Sequence, residues 1–397
     1  MRIVVLSASA PEPPWHGGRI RVYNLVKGLA AAGHAVTVLC TDVRSPDEHD
    51  LEGVTIEVLA GRPRRTLREK FSTTVSALPE AAWLSMSADD RVKVARALVG
   101  ADFVLLEQMH MVAYLPIIEQ WGGPFILDTH NVEHELLAQM ARVAPKLRTR
   151  IRMAADAVKM RRYERRLLRR ATRVLAVSES DRDALLALGG TAPIDVIANG
   201  VDLDYFSFVD HGAARGASLV MTGTMGYLPN VDAALWLIDD LLPRIRTRRP
   251  DATLTLVGNE PAAGVLAAAA RSEGVLVTGS VPDVRPYVRD ADLFVLPFRV
   301  GGGTRLKSLE AMASGIPVVS TTVGCMGLAV TSGAELLVAD DPVSFADACV
   351  ALLADEPLRR KLATSARTHV EDAFSWATIT RALEESIERA VATHRQG

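Results

Sequence analysis

The chain is poor in cysteine, in aromatic residues, in net charge and in long apolar runs. Only three cysteines, Cys40, Cys325 and Cys349, occur in 397 residues. They are scattered, so neither a disulfide framework nor a cysteine metal site is implied, and a reducing cytoplasm suits them. A net charge of −2 gives no global pull toward nucleic acid. No apolar stretch reaches the ~20 residues needed to span a bilayer. The run at Ile3–Leu6 is too short for a signal peptide, and a Pro-rich turn follows at once, so it reads as a buried first strand.

What is present is apolar residue in quantity, 49% of the chain, enough for two or three buried cores. Short apolar runs at Ile3–Leu6, Val36–Leu39, Phe103–Leu106, Phe125–Leu127 and Val174–Val177 alternate with amphipathic stretches such as Arg19–Ala32. This is the rhythm of a parallel, doubly wound sheet. It restarts after Asp204-Tyr205-Phe206, with strands expected at Leu219–Thr222, Thr253–Val257, Val275–Thr278, Leu293–Leu296 and Pro317–Val319. The expectation is an α/β protein of two Rossmann-like domains, residues 1–205 and 206–375, facing a central cleft. A terminal helix over 376–397 docks back on the first domain.

The segment Val300-Gly301-Gly302-Gly303-Thr304-Arg305-Leu306-Lys307-Ser308-Leu309-Glu310 carries the most chemistry. Consecutive glycines let backbone N–H groups face an anion, and the following helix start adds donors and partial positive charge. Arg305 and Lys307 add two full charges, which suits a diphosphate. Glu310 lies on the same helix face as Lys307; it would repel phosphate but accept hydrogen bonds from sugar or ribose hydroxyls. A second glycine-rich turn, His16-Gly17-Gly18, follows the first strand. Open parallel sheets bind ligands beyond the carboxyl ends of their strands, where both turns fall.

Several motifs resemble those of the retaining glycosyltransferases of the GT-B fold, in their large fourth family. They are Gly17-Gly18, Ala32-Gly33-His34-Ala35-Val36, Asp128-Thr129-His130-Asn131-Val132-Glu133, Ala176-Val177-Ser178-Glu179, Ala198-Asn199-Gly200-Val201-Asp202 and Leu309-Glu310-Ala311-Met312-Ala313-Ser314-Gly315-Ile316-Pro317-Val318-Val319. The resemblance implies sugar transfer from a nucleoside-diphosphate sugar to a glycan, lipid-linked or small-molecule acceptor, without cofactor or metal. It implies catalytic roles for His130, Arg305 and Lys307. Donor contacts are expected from Gly17, Gly18, Thr224, Gly301, Gly302, Gly303, Thr304, Arg305, Lys307 and Glu310. His130 matches the family's histidine near the donor sugar, with Asn131 and Glu133 supporting it. Glu310 matches the second glutamate of the family's two-glutamate motif. Arg19 and Glu107 are expected on the acceptor side, although Arg19 and Arg21 read equally well as ordinary surface charge.

Two departures stand out. Gly302 occupies the place of the first glutamate of that motif. The turn Gly223-Thr224-Met225-Gly226 lacks the usual following cations, since none occurs between Arg215 and Arg244. A nucleotide-sugar epimerase, or an inactive nucleotide-sugar-binding protein, therefore stays open beside the transferase. Asp202-Leu203-Asp204 has the spacing of a metal motif but lies in the hinge match, and capping is expected of it.

Lys146 to Arg173 is dense in cations, among them Arg148, Arg150, Arg152, Lys159, Arg161, Arg162, Arg165, Arg166, Arg169 and Arg170, with Leu147, Ile151 and Met153 interleaved. It reads as a long basic helix, either solvated or lying on an anionic membrane. Arg62, Arg64, Arg65, Arg68 and Lys70 form a second basic cluster. Stacking aromatics are missing from both, which argues against nucleic acid.

Overall fold

The computed structural model describes residues 1–12, 17–41, 51–60, 78–79, 86–211 and 216–396. His16 and the cluster Arg62 to Lys70 lie outside them. The chain divides into two compact units. One comprises Met1–Ala138, Ile151–Ala198 and Trp376–Gly397, and the other Gln139–Arg150 and Asn199–Ser375.

Among the described residues the first unit holds seven parallel strands in the order β3-β2-β1-β4-β5-β6-β7. They are β1 (Arg2–Ser7), β2 (Ala35–Cys40), β3 (Val54–Val58), β4 (Phe103–Glu107), β5 (Phe125–Asp128), β6 (Arg173–Ala176) and β7 (Ile194–Val196). A strand's side chains alternate between faces, and both faces of the central strands β1, β4 and β5 are buried, which is why these read as unbroken apolar runs. Ile3 and Val5 join a cluster with Val22, Leu25 and Leu29 of the helix Gly17–Ala31 and Ile379, Leu383 and Ile387 of the helix Trp376–Gln396. Val4 and Leu6 point the other way, toward Val94, Leu98, Leu115 and Ile118. The terminal helix comes so close to the first that a Cβ on Gly28 would sit 2.2 Å from Thr380 Oγ1.

Among its described residues the second unit holds six parallel strands in the order β10-β9-β8-β11-β12-β13. They are β8 (Ser218–Thr222), β9 (Thr253–Val257), β10 (Val275–Val277), β11 (Leu293–Leu296), β12 (Val318–Ser320) and β13 (Leu337–Val338). The strands the sequence hides are β3, β7 and β13, each at or near a sheet edge. They are short or half-exposed, so no apolar run announces them. The chain enters this unit at Asn199, ahead of residue 205. Val201 N–H donates to Phe374 O at 2.8 Å and Val201 pairs with Ser375, which ties the hinge to this unit.

Candidate functional site

In each sheet the strand order reverses between the unit's first strand and the one beside it, β1 and β4 in one unit, β8 and β11 in the other. Loops leaving such a pair diverge and open a crevice. Of the sequence-expected donor groups, Thr224, Gly301, Gly302, Gly303, Thr304, Arg305, Lys307 and Glu310 follow β8 and β11 of the second unit, whereas Gly17 and Gly18 follow β1 of the first.

Gly223 follows β8 with φ 149°, a conformation that disfavours any side chain. A Cβ there would meet Lys307 Nζ at 2.5 Å and Asn230 Nδ2 at 2.9 Å. The strap after β11 runs through buried Phe298 to Gly301–Gly303 and into the helix Leu306–Ser314, which Gly315 ends in the left-handed region. Arg305 Cζ and Lys307 Nζ each stand 4.9 Å from the centre of the Phe298 ring. Phe298 is thus an apolar post on which two cations rest by cation–π attraction. Arg305 Nη2 donates to Val300 O at 3.2 Å. Lys307 Nζ donates to Asn230 Oδ1 at 3.0 Å, and Asn230 Nδ2 donates to Thr224 O at 2.8 Å. The chain Thr224–Asn230–Lys307 therefore couples the two loops. Neither Phe298 nor Asn230 was among the expected site residues. Asn230 follows Pro229 in the first turn of the helix Leu228–Trp236, which is its only local sign.

Burial, reinforced by the Arg305 charge, pushes the Lys307 ammonium down to about 7, with Glu310 pulling the other way. Burial pushes Glu310 up to about 7, opposed by Lys307. Both keep partial surface exposure. A cationic pair forced together in a weakly solvated recess is a receptor for an anion of high charge density. Arg299, a third nearby cation, is spent on Asp232 at 2.6 Å and on the Trp236 ring.

The first unit carries a different cluster. Glu107 and Asp128 end β4 and β5 as register partners. Arg21 grips Asp128 with Nε to Oδ2 at 2.8 Å and Nη2 to Oδ1 at 3.0 Å, and gives Nη1 to Ala198 O at 2.9 Å. His130 Nε2 lies 2.8 Å from Glu107 Oε2, and Gln108 Nε2 lies 2.9 Å from His130 Nδ1. Gln108 holds φ 66° and ψ 157°, strained for a side-chain-bearing residue. Among the described residues Glu107 Oε1 is buried without a hydrogen bond. Burial and then the Asp128 charge hold the Glu107 carboxyl above its ordinary range.

This arrangement corrects several expectations. Arg19 and Arg21 are 4% and 1% exposed, neither surface charges nor groups free to greet an acceptor. Glu107 is wholly buried against His130 and does not face an acceptor. Asn131 Nδ2 donates to Glu133 Oε1 at 3.3 Å. Gly17 and Gly18 are the first residues of a helix, not a loop. Ligating atoms of Glu107, Asp128 and His130 lie within 4.8 Å of one another; the positive charge a cation would bring there already comes from Arg21. Asp202 Oδ1 accepts from the N–H groups of Asp204 and Tyr205 at 3.1 and 2.9 Å, a turn cap.

Sequence profiles give the same reading. Residues 15–205 match the family described as Glycosyltransferase Family 4, and residues 216–355 match Glycosyl transferases group 1. The chain belongs to this glycosyltransferase family. Family relatives include a D-inositol 3-phosphate glycosyltransferase of Frankia alni, 28% identical over 98% of each chain. Among solved structures, sucrose-phosphate synthase of Thermosynechococcus elongatus superposes with TM-score 0.77 at 19% identity, covering 99% of this chain and 100% of that one. Anabaena HepE in complex with UDP and glucose superposes with TM-score 0.72 at 17% identity, covering 97% and 99%. Both likenesses establish the GT-B fold. Among the described residues no helix is long and apolar enough to cross a membrane.

Proposed function

We propose that this glycosyltransferase moves a sugar from a nucleoside-diphosphate donor to an acceptor hydroxyl with retained anomeric configuration and without a metal ion. The observation that carries the reading is the pair Arg305 and Lys307, poised on Phe298 beside a glycine strap and a helix start. When the sugar–phosphate bond breaks, negative charge grows on the diphosphate and positive charge on the ring. Preorganised N–H dipoles and cations aimed at the leaving group lower that barrier most directly. Glu310, one turn along the same helix, suits the ribose hydroxyls. In a front-face reaction a departing phosphate oxygen takes the acceptor's proton while the acceptor oxygen bonds the anomeric carbon on the face the phosphate leaves. No protein base is then required. His130 acts from a fixed tautomer, in which Nε2–H points to Glu107; a sugar hydroxyl reaching it would replace the Gln108 amide as donor to Nδ1. The D-inositol 3-phosphate glycosyltransferase name and the UDP and glucose complex of HepE support a nucleotide-sugar donor and a hydroxyl acceptor.

The test is a thermal-shift screen over sugar nucleotides, followed by product analysis with an acceptor panel. A glycosylated acceptor of unchanged anomeric configuration is expected. A new sugar nucleotide formed from donor alone would establish epimerisation instead. Tight donor binding without turnover on any acceptor would mark a binding protein, the outcome that Gly302 in the glutamate position would explain.

A further inference from the structure

The helix Leu147–Leu167 turns Ala157, Met160, Glu164 and Leu167 inward. Glu164, fully buried, accepts from the N–H groups of Glu133 and His134 at 2.8 and 3.2 Å and from His134 Nδ1 at 2.7 Å. That carboxylate anchors the inward face and fixes which residues face solvent. At 100° per residue, the outward arc of about 140° holds Ile151, Ala154, Ala155 and Val158, then Arg161, Arg162, Arg165 and Arg166. All eight are exposed, Ile151 by 61% and Val158 by 54%.

Four arginines stand together on this arc. Many exposed arginines elsewhere are paired, as in Arg170–Glu119, Arg182–Glu179, Arg244–Asp240, Arg285–Asp283 and Arg360–Asp210, while exposed ones with no ion pair to a described residue, such as Arg91, Arg271 and Arg381, are scattered along the chain. Arg161, Arg162, Arg165 and Arg166 have no ion pair or hydrogen bond to any described residue, in a chain whose net charge is −2. Four unneutralised guanidinium groups within two turns repel one another. Two branched aliphatic side chains stand exposed on the adjoining turns of the same arc. Each feature alone is a cost; together they match one surface.

We infer that this helix face docks the chain on a bilayer rich in anionic lipid, with Ile151 and Val158 entering the interfacial layer and Arg161, Arg162, Arg165 and Arg166 binding headgroup phosphates. An interfacial helix combines buried apolar area with attraction of cations to acidic lipid. Nucleic acid is disfavoured because no aromatic lies on the arc to stack on a base. The inference is independent of the transferase chemistry, since none of these residues belongs to the donor groups of the second unit.

The experiment is flotation of the full chain with vesicles of phosphatidylcholine alone or mixed with equal phosphatidylglycerol, at low and high salt. Flotation is expected only with the mixed vesicles, weakened by salt. Arg162→Glu with Arg166→Glu should lower vesicle affinity by roughly tenfold or more. Ile151→Ser with Val158→Ser keeps the charge and should also lower it, by roughly tenfold. Circular dichroism and the sugar-nucleotide thermal shift report folding of each variant separately from docking. A chain that stays in the soluble fraction with mixed vesicles at low salt overturns the inference. So does binding that the apolar pair leaves unchanged and that heparin or RNA displaces, the behaviour of a general polyanion surface.

Discussion

His130 donates from Nε2 to Glu107 at 2.8 Å while its Nδ1 accepts from Gln108 at 2.9 Å. Both ring nitrogens are engaged, so one tautomer is selected before any substrate arrives. The Glu107 carboxyl is held above its ordinary value of 4.5 by burial and by Asp128. The folded state therefore keeps that proton to higher pH than the unfolded chain. The resulting stability is present below pH about 4.5 and is lost as pH rises through the folded value. Glu107→Gln keeps the shape and removes the charge, so it should melt at or above the parent at pH 8 and flatten the pH dependence. Glu107→Ala strands the imidazole N–H and should cost about 1–3 kcal/mol. Denaturant titration of both variants checks this. Equal damage from Gln and Ala would mean that the ionised form is needed.

Lys307 supplies a pH signature. Its ammonium is pushed down to about 7 from an ordinary 10.5. A diphosphate beside it stabilises the charged form and raises that value, so donor binding must draw in a proton above pH 7. Affinity for a nucleoside diphosphate should fall as pH rises from 7 to 9, and calorimetry in buffers of different ionisation enthalpy should register uptake. Lys307→Met should abolish both effects and weaken binding by roughly ten- to a hundredfold, the worth of a charge-assisted hydrogen bond. The same variant should melt no lower than the parent near neutral pH, because burial already disfavours the charge it removes. Affinity that does not vary with pH would remove Lys307 from the diphosphate.

Two glycines separate backbone need from side-chain room. A Cβ on Gly301 would overlap Arg305 Nη2, the end of a flexible side chain, so Gly301→Ala should displace Arg305 and weaken donor binding with little loss of stability. At Gly223 the new Cβ meets Lys307 and Asn230 and the φ of 149° is itself unfavourable. Gly223→Ala should therefore cost stability, about 1–3 kcal/mol, as well as affinity. Melting curves with and without the nucleoside diphosphate selected by the thermal-shift screen distinguish the two; similar melting losses would undo the distinction.

Arg21 and Asp128 form a buried, two-pronged pair. Arg21→Met leaves the Asp128 carboxylate without its cation and should destabilise the fold by about 3–5 kcal/mol. Adding Asp128→Asn should recover part of that loss. Urea midpoints for the single and double variants measure the coupling, and additive effects would show that the pair does not act as a unit.

The buried strands, the glycine strap with Arg305, Lys307 and Glu310, and the helical start and end segments were legible from composition and spacing. Each is a local property: a parallel strand covered on both faces must be apolar, and an anion strap needs small residues beside cations. The edge strands β3, β7 and β13 escaped because partial exposure breaks the apolar run. Arg19, Arg21 and Glu107 were misread because nothing local distinguishes a buried charge from an exposed one.

By itself, then, the sequence determined the alternation of strands and helices, the family, and the place where positive charge collects. Only tertiary structure decided that Arg21 neutralises Asp128 across 107 residues of chain, that Phe298 and Asn230 hold Arg305 and Lys307 in place, and that four arginines face outward without an ion pair to any described residue. The reason is physical. Strand and cap preferences act over a few residues, whereas the fate of a charge depends on what long-range folding sets against it.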